Sequence, residues 1–166
     1  YPVPGASAPV ALLSVLGWNE SAFSFQGFFP REKKEREEWA EQALLSGGLQ
    51  IFFESPHRIL GTLEFLASAF PDFSLALGRE LTKKYETIHR GTCRELWEKL
   101  RSEEPRGEYV LALRLPEGGG QAGMPEARLR ELVKELAQLG ASQKVLVRVA
   151  ISHGMRKNEA YKMALE

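Results

Sequence analysis

Five consecutive residues, Glu54-Ser55-Pro56-His57-Arg58, bring together a carboxylate, a hydroxyl, an imidazole and a guanidinium directly after the apolar run Ile51-Phe52-Phe53. Carboxylate and imidazole are the side chains that most often exchange protons in catalysis, and a guanidinium suits phosphate or carboxylate. The pattern predicts a strand that stops at Glu54 and a helix that starts at once, with Ser55 as N-cap and Pro56 at the first helical position, where its missing N–H costs nothing. A strand end feeding a helix is where open α/β sheets place ligands. The purely structural alternative is a capped helix with a Glu54–Arg58 ion pair at i,i+4 spacing. A second cluster, Gly78-Arg79-Glu80-Leu81-Thr82-Lys83-Lys84-Tyr85-Glu86, follows another short apolar run, its alternative being a solvated charged loop. A third, Pro4-Gly5-Ala6-Ser7-Ala8, is made of small residues that permit close approach of a ligand or of packed backbone. Placed at corresponding ends of one sheet, the three would form one wall of a cleft.

The elements that must position these clusters are legible as periodicity. A small-residue helix runs from the first cluster to about residue 16. The alternating Phe23, Phe25 and Phe28 predict a strand over 22–29, ended by Pro30. Residues 31–46 form a charged amphipathic helix with Trp39, Ala43 and Leu44 on its buried stripe, closed by Gly47-Gly48. A strand over 49–53 precedes a helix over 56–70, with Ile59, Leu60, Leu63, Leu66 and Ala67 at helical spacing. A short buried strand is expected over 74–77 and an edge strand over 86–90. Thr92 and Glu95 form a capping box for a helix to about 102, and a last strand spans 109–115. Strands alternating with helices predict an α/β fold, a three-layer mixed sheet with flanking helices. The domain reading is an α/β lobe over 1–116, a Gly-rich linker over 117–124 and a three-helix tail over 125–166. The linker lacks the Lys-Ser/Thr of a phosphate loop.

Composition narrows the function. The chain has 166 residues with Lys+Arg and Asp+Glu equal at 22 each, so wholesale polyanion binding has no support and any nucleic-acid contact must come from a local basic face. One cysteine, Cys93, excludes an internal disulfide and fits a reducing, cytoplasmic setting; with three histidines besides, no metal site is expected. No apolar run approaches membrane-spanning length. The opening Tyr1-Pro2-Val3-Pro4-Gly5 reads as the interior of a domain, which suggests the C-terminal portion of a longer protein. His89, His153 and Cys93 are read as structural. In the tail, Ala150-Ile151-Ser152-His153-Gly154 separates two short helices, as in helix-turn-helix units, and Lys144, Arg148, Arg156, Lys157 and Lys162 outnumber nearby acids. A small helical bundle with a basic face that positions phosphates is the reading favoured over a sequence-specific DNA reader.

Together these strings resemble the C-terminal lobe of the tetrapyrrole methylase family of S-adenosylmethionine-dependent methyltransferases. The resemblance rests on Val3-Pro4-Gly5-Ala6-Ser7-Ala8, Gln26-Gly27-Phe28-Phe29-Pro30, Ile51 to Arg58, and Arg79-Glu80-Leu81-Thr82-Lys83. His89-Arg90-Gly91-Thr92, Gly107-Glu108-Tyr109-Val110-Leu111 and Lys157-Asn158-Glu159-Ala160-Tyr161 extend it over nearly the whole chain. Phe53 to Arg58 and Arg79 to Lys83 are, by this resemblance, specific to the branch of that family acting on small-subunit ribosomal RNA. The resemblance implies two α/β lobes with S-adenosyl-L-methionine in the cleft between them, and an N-terminal lobe that this sequence does not include. It maps donor contacts to Ser7 and Ala8, Phe53 and Glu54, Arg79 and Glu80, and the strand near Ala112, with Pro4 and Gly5 shaping the first turn. It further implies 2'-O-methylation of a cytidine, a homodimer, and a chain that is inactive without its companion lobe. A ribose hydroxyl is a poor nucleophile, so a base or charge stabiliser is needed, and Glu80, His57 and Lys83 are the candidates. Arg58, Lys83, Lys84, Arg156 and Lys157 are the candidate RNA contacts. The alternatives are a methylase of a corrinoid or porphyrin precursor and a non-catalytic helix-turn-helix module.

Overall fold

Side-chain alternation decides which way each strand faces. The computed structural model describes residues 1, 5–117, 126–153 and 155–164. In β2 (Gly47–Glu54), Leu49 and Ile51 face one side of the sheet and Phe52 the other, all buried. The same alternation in β5 (Tyr109–Glu117) sends Val110 and Ala112 to the first side and Leu111, Leu113 and Leu115 to the second. With β1 (Phe23–Phe28), β3 (Ser74–Arg79) and β4 (Thr87–Thr92), these form one five-stranded sheet in the order β1-β2-β5-β3-β4. β1 runs parallel to β2, and the remaining pairs are antiparallel.

Each face is covered by what its residues require. α1 (Ala8–Leu16) lays Leu12 and Leu16 onto Leu49, Ile51, Ala76, Val110 and Ala112. α2 (Lys33–Ser46), α3 (Ile59–Ala69) and α4 (Cys93–Leu100) cover the opposite face, around Phe52, Phe70, Leu75 and Leu111. The expected three-layer α/β arrangement is the one found. Thr92 and Glu95 make the expected capping box, Glu95 N–H donating to Thr92 Oγ1 at 3.2 Å and Thr92 N–H to Glu95 Oε2 at 2.7 Å.

Two local expectations differ. Ser55 does not cap α3 with its side chain; its carbonyl accepts the N–H groups of Arg58 (3.1 Å) and Ile59 (3.0 Å), and the helix begins at Ile59 after a turn through Pro56, His57 and Arg58. β3 runs two residues past its apolar stretch, because Gly78 and Arg79 pair with Ile88 and Thr87 on one side and with Val110 and Tyr109 on the other. Backbone pairing on both edges overrides the polarity of the end residues. In the tail, α5 (Glu126–Gln138), α6 (Gln143–Ser152) and α7 (Lys157–Met163) bury Leu132, Leu136, Val147 and Met163 in the same core as Phe52 and Phe70. Glu37 of α2 pairs with Lys144 and with Arg148 of α6, the latter at 3.3 Å. Glu117 belongs to β5, and 118–124 of the expected linker lie outside the described residues.

Phe52 is fully buried at the centre of β2, in contact distance of the Phe29 and Trp39 rings (centroids 4.9 and 5.7 Å). Phe52→Ala is expected to lower the unfolding free energy by about 3–5 kcal/mol in urea titration; a loss below about 1 kcal/mol would contradict this packing.

Candidate functional site

The strand directions place the C-terminal ends of β1, β2 and β3 and the N-terminal ends of β4 and β5 along one rim. Register fixes the order on it: Tyr109 stands opposite Glu54 on one side and opposite Arg79 on the other, and Arg79 stands opposite Thr87. Below this rim opens a cavity of about 520 Å³ lined by Ala8, Phe28, Phe53, Glu54, Ser55, Pro56, Glu108, Tyr109 and Val110. An adjoining groove of about 400 Å³ shares Ala8 and Phe53 and adds Ala6, Ser7, Val10, Phe23 and Phe25. Of the first and second predicted donor segments, Ala8 and Phe53 line both spaces, Ser7 lines the groove and Glu54 the cavity.

Glu54 is 2% exposed, and its carboxylate is turned into the protein. Oε1 accepts the Ser55 N–H at 2.7 Å, Oε2 accepts the Thr62 hydroxyl at 2.7 Å, and Arg58 lies 3.3 Å from Oε2. The i,i+4 pair read as the structural alternative is thus present. The Arg58 guanidinium also donates to the carbonyls of Phe29 and Pro30, the latter at 3.2 Å, tying α3 to the end of β1. Arg58, a candidate phosphate contact by sequence, is directed to these internal acceptors. His57, between them in the turn, is exposed.

The loop leaving β3 is held under backbone strain. Glu80 (φ 50°) and Thr82 (φ 64°) both occupy the left-handed region, which for a β-branched residue is a true outlier. Such conformations cost on the order of 1–3 kcal/mol each and persist only where surroundings impose them. Here Glu80 N–H donates to the Glu108 carbonyl at 3.0 Å, and Glu108 N–H returns a bond to Glu80 Oε1 at 2.8 Å. The Lys83 ammonium bridges Glu80 Oε1 and Glu108 Oε2 at 3.0 Å each, and Thr82 N–H donates to Glu86 Oε2 at 2.6 Å. Gly107 (φ +79°) completes the fit, since a Cβ there would lie 2.5 Å from Glu80 Cγ.

These contacts set the charge states. The Glu108 N–H and then the Lys83 ammonium hold the Glu80 carboxyl below its usual range, while Glu108 and Glu80 push the Lys83 ammonium up. A general base needs the opposite shifts, toward neutrality. Glu80 and Lys83 act here as a clamp that keeps one carboxylate ionised and one ammonium charged. Burial lowers His89 and strongly raises the Cys93 thiol, which fits the structural roles expected of both.

The other predicted site residues are dispersed. Arg79 sits on the α3 face of the rim beside Tyr109, His89 and Glu103, with its Nε buried and unpaired. Ala112 is fully buried beneath α1, three residues inward of the rim, or about 10 Å by strand rise. Gly5 is exposed ahead of α1, and Pro4 lies outside the described residues. Lys84 is exposed in the β3–β4 loop, whereas Arg156 and Lys157 are exposed at the start of α7, in the tail. Phe28, Glu108 and Tyr109 line the cavity in addition to the residues expected from the sequence. The signals for them were the phenylalanine alternation and the polar pair opening the last strand.

The clamp should leave a pH signature. Ionised Glu80 stabilises the fold above its unfolded value of about 4.3, and this is lost as pH falls through its lower folded value; protonated Lys83 stabilises below about 10.4, and this is lost as pH rises through its higher folded value. The stability difference between the wild type and Lys83→Met is expected to be flat from about pH 5 to 10 and to shrink at both extremes. Urea midpoints measured across pH would show this, and a difference independent of pH would rule out the clamp.

Comparison with known proteins agrees with the fold. A family model described as Tetrapyrrole (Corrin/Porphyrin) Methylases matches residues 1–97. Ribosomal RNA small subunit methyltransferase I of Halalkalibacterium halodurans is 34% identical over 167 residues, covering 96% of this chain and 57% of that protein. The protein of the same name from Neisseria meningitidis serogroup B is 36% identical over 166 residues, covering 99% and 57%. The chain thus spans little more than half the length of these relatives. Among solved structures, the methyltransferase CobJ aligns with a TM-score of 0.51 at 17% identity, over 68% of this chain and 49% of that one, a likeness of fold. Match and fold together place the chain in the tetrapyrrole methylase family.

Proposed function

We propose that this chain forms the C-terminal half of an S-adenosylmethionine-dependent methyltransferase acting on the 2'-hydroxyl of a cytidine in small-subunit ribosomal RNA, in the cytoplasm and as a homodimer. The observation that carries the reading is that Ala8 and Phe53 line both the rim cavity and its adjoining groove, with Glu54 on the cavity and Ser7 on the groove. The relatives of that name, at 34–36% identity, support the substrate class.

The cavity residues fit the donor. A volume of about 520 Å³ lies within the range of small-molecule sites. Phe28 and Phe53, with ring centroids 5.9 Å apart, offer π-surface to a purine and to a sulfonium cation. The α1 N-terminus at Ala8 presents first-turn N–H groups that Ser7 does not cap, which favours a carboxylate there. When bound, the donor supplies an already activated methyl group. What remains for the protein is alignment and exclusion of water. The exposed Phe23, Phe25, Phe28 and Val10 leave the open side of the cavity apolar, as the face toward a companion lobe would be.

The hydroxyl proton falls to His57. Glu80 and Lys83 are clamped to each other, and Glu54 is saturated, which leaves the exposed His57 imidazole at the mouth of the β2–α3 turn to accept it. Lys83 keeps a fixed positive charge beside the site, and Lys84 with the tail residues Arg156 and Lys157 contacts phosphate.

Full-length protein incubated with tritiated S-adenosylmethionine and undermethylated small ribosomal subunits is expected to place label on a ribose oxygen; label on a macrocycle would favour a corrinoid or porphyrin methylase, and none a binding module. His57→Ala is expected to lower kcat by about 10²–10⁴-fold, and an unchanged kcat would remove His57 as the base. The isolated chain should bind the donor weakly in calorimetry, and tight binding would contradict the need for a companion lobe.

A further inference from the structure

We infer that Tyr85 is a stacking platform for one unpaired base of the RNA, with Lys84 engaging the adjacent phosphate. The inference rests on the ribosomal RNA reading above. Tyr85 is 67% exposed, so the protein leaves most of its ring to solvent. The hairpin that carries it leaves the rim at Arg79 and returns at Thr87, which are directly paired, so the ring projects from the same rim as the cavity.

An exposed aromatic on a loose loop would be a poor recognition element, because ordering it would oppose binding. This loop is ordered beforehand. Glu80, Lys83 and Glu108 fasten its first half; Thr82 N–H to Glu86 at 2.6 Å and Glu86 N–H to the Lys83 carbonyl at 3.2 Å fasten its second. The left-handed Glu80 and Thr82 give the loop a conformation the chain would not adopt unaided. Lys84 Nζ sits 5.3 Å from the Tyr85 ring centroid, and Lys84 makes no ion pair among the described residues. Phe25 and Phe28 differ: both pack edge-on against Phe53, and among the described residues no cation lies over either ring. A rigid aromatic beside an unpaired ammonium is the combination by which proteins hold single-stranded nucleic acid, base on ring and phosphate on cation. Paired bases expose no face to such a ring, so the strand bound here is single-stranded at that nucleotide.

The test uses full-length protein and a single-stranded RNA oligonucleotide of the target sequence containing one 2-aminopurine. Binding to wild type and to Tyr85→Phe is expected to quench the 2-aminopurine, with affinities within about twofold. Tyr85→Leu should bind about tenfold or more weakly without quenching. Lys84→Met should weaken binding and lower the salt slope by about one. Circular dichroism checks that each variant is folded. If Tyr85→Leu binds and quenches like wild type, the platform is overturned while the RNA reading stands. If wild type itself binds no RNA, the RNA reading fails and the platform with it.

Discussion

The rim depends on β5 being hydrogen-bonded on both edges. β2 and β3 carry the two densest clusters of polar residues, yet they do not touch; β5 lies antiparallel between them and sets their relative height. Tyr109, its first residue, stands opposite both Glu54 and Arg79, so a slip of one residue would flip the facing of both neighbouring strands relative to it. Such a slip would also put Ala112, with either Val110 or Arg114, where Leu111 and Leu113 now fill the core.

The two segments on either side of β5 are fixed in different ways. After β2, a buried carboxylate gathers a backbone N–H, a hydroxyl and a guanidinium, and the turn that presents His57 is built around it. After β3, two left-handed residues are held by an ammonium shared between carboxylates 28 residues apart in sequence. The first device is internal and the second is solvent-facing, and the second carries an ionic-strength dependence that the first lacks.

Much of this was legible in the chain. Phenylalanine alternation marked β1 and apolar runs marked β2, β3 and β5, the Thr92–Glu95 spacing marked its helix, and the polar strings after β2 and β3 do lie along one rim. The illegible parts are tertiary. Nothing local shows that Glu108 will bond Glu80, or that Gly107 is required because Glu80 crowds it. Ser55 followed by Pro56 reads as a helix start, but Glu54 and Arg58 impose an extra turn by bonding to the chain around them. Nor does the local sequence show that the apolar stripes on α5 and α6 find partners in the core that holds Phe52 and Phe70. Ala112 lies on β5 three residues inward of the rim, a depth that strand periodicity does not show, since it tells the face of a residue and not its distance from an end.

The place of β5 in the sequence also bears on how the molecule is made. A ribosome synthesises β2 and β3 before it translates Tyr109 to Glu117, the segment that must wedge between them. Until then each has an unsatisfied edge, and the nascent chain carries them as open templates awaiting a late arrival. The pocket wall is consequently among the last features to mature during vectorial synthesis, and a chain stalled before residue 109 would hold helices and strands but no rim.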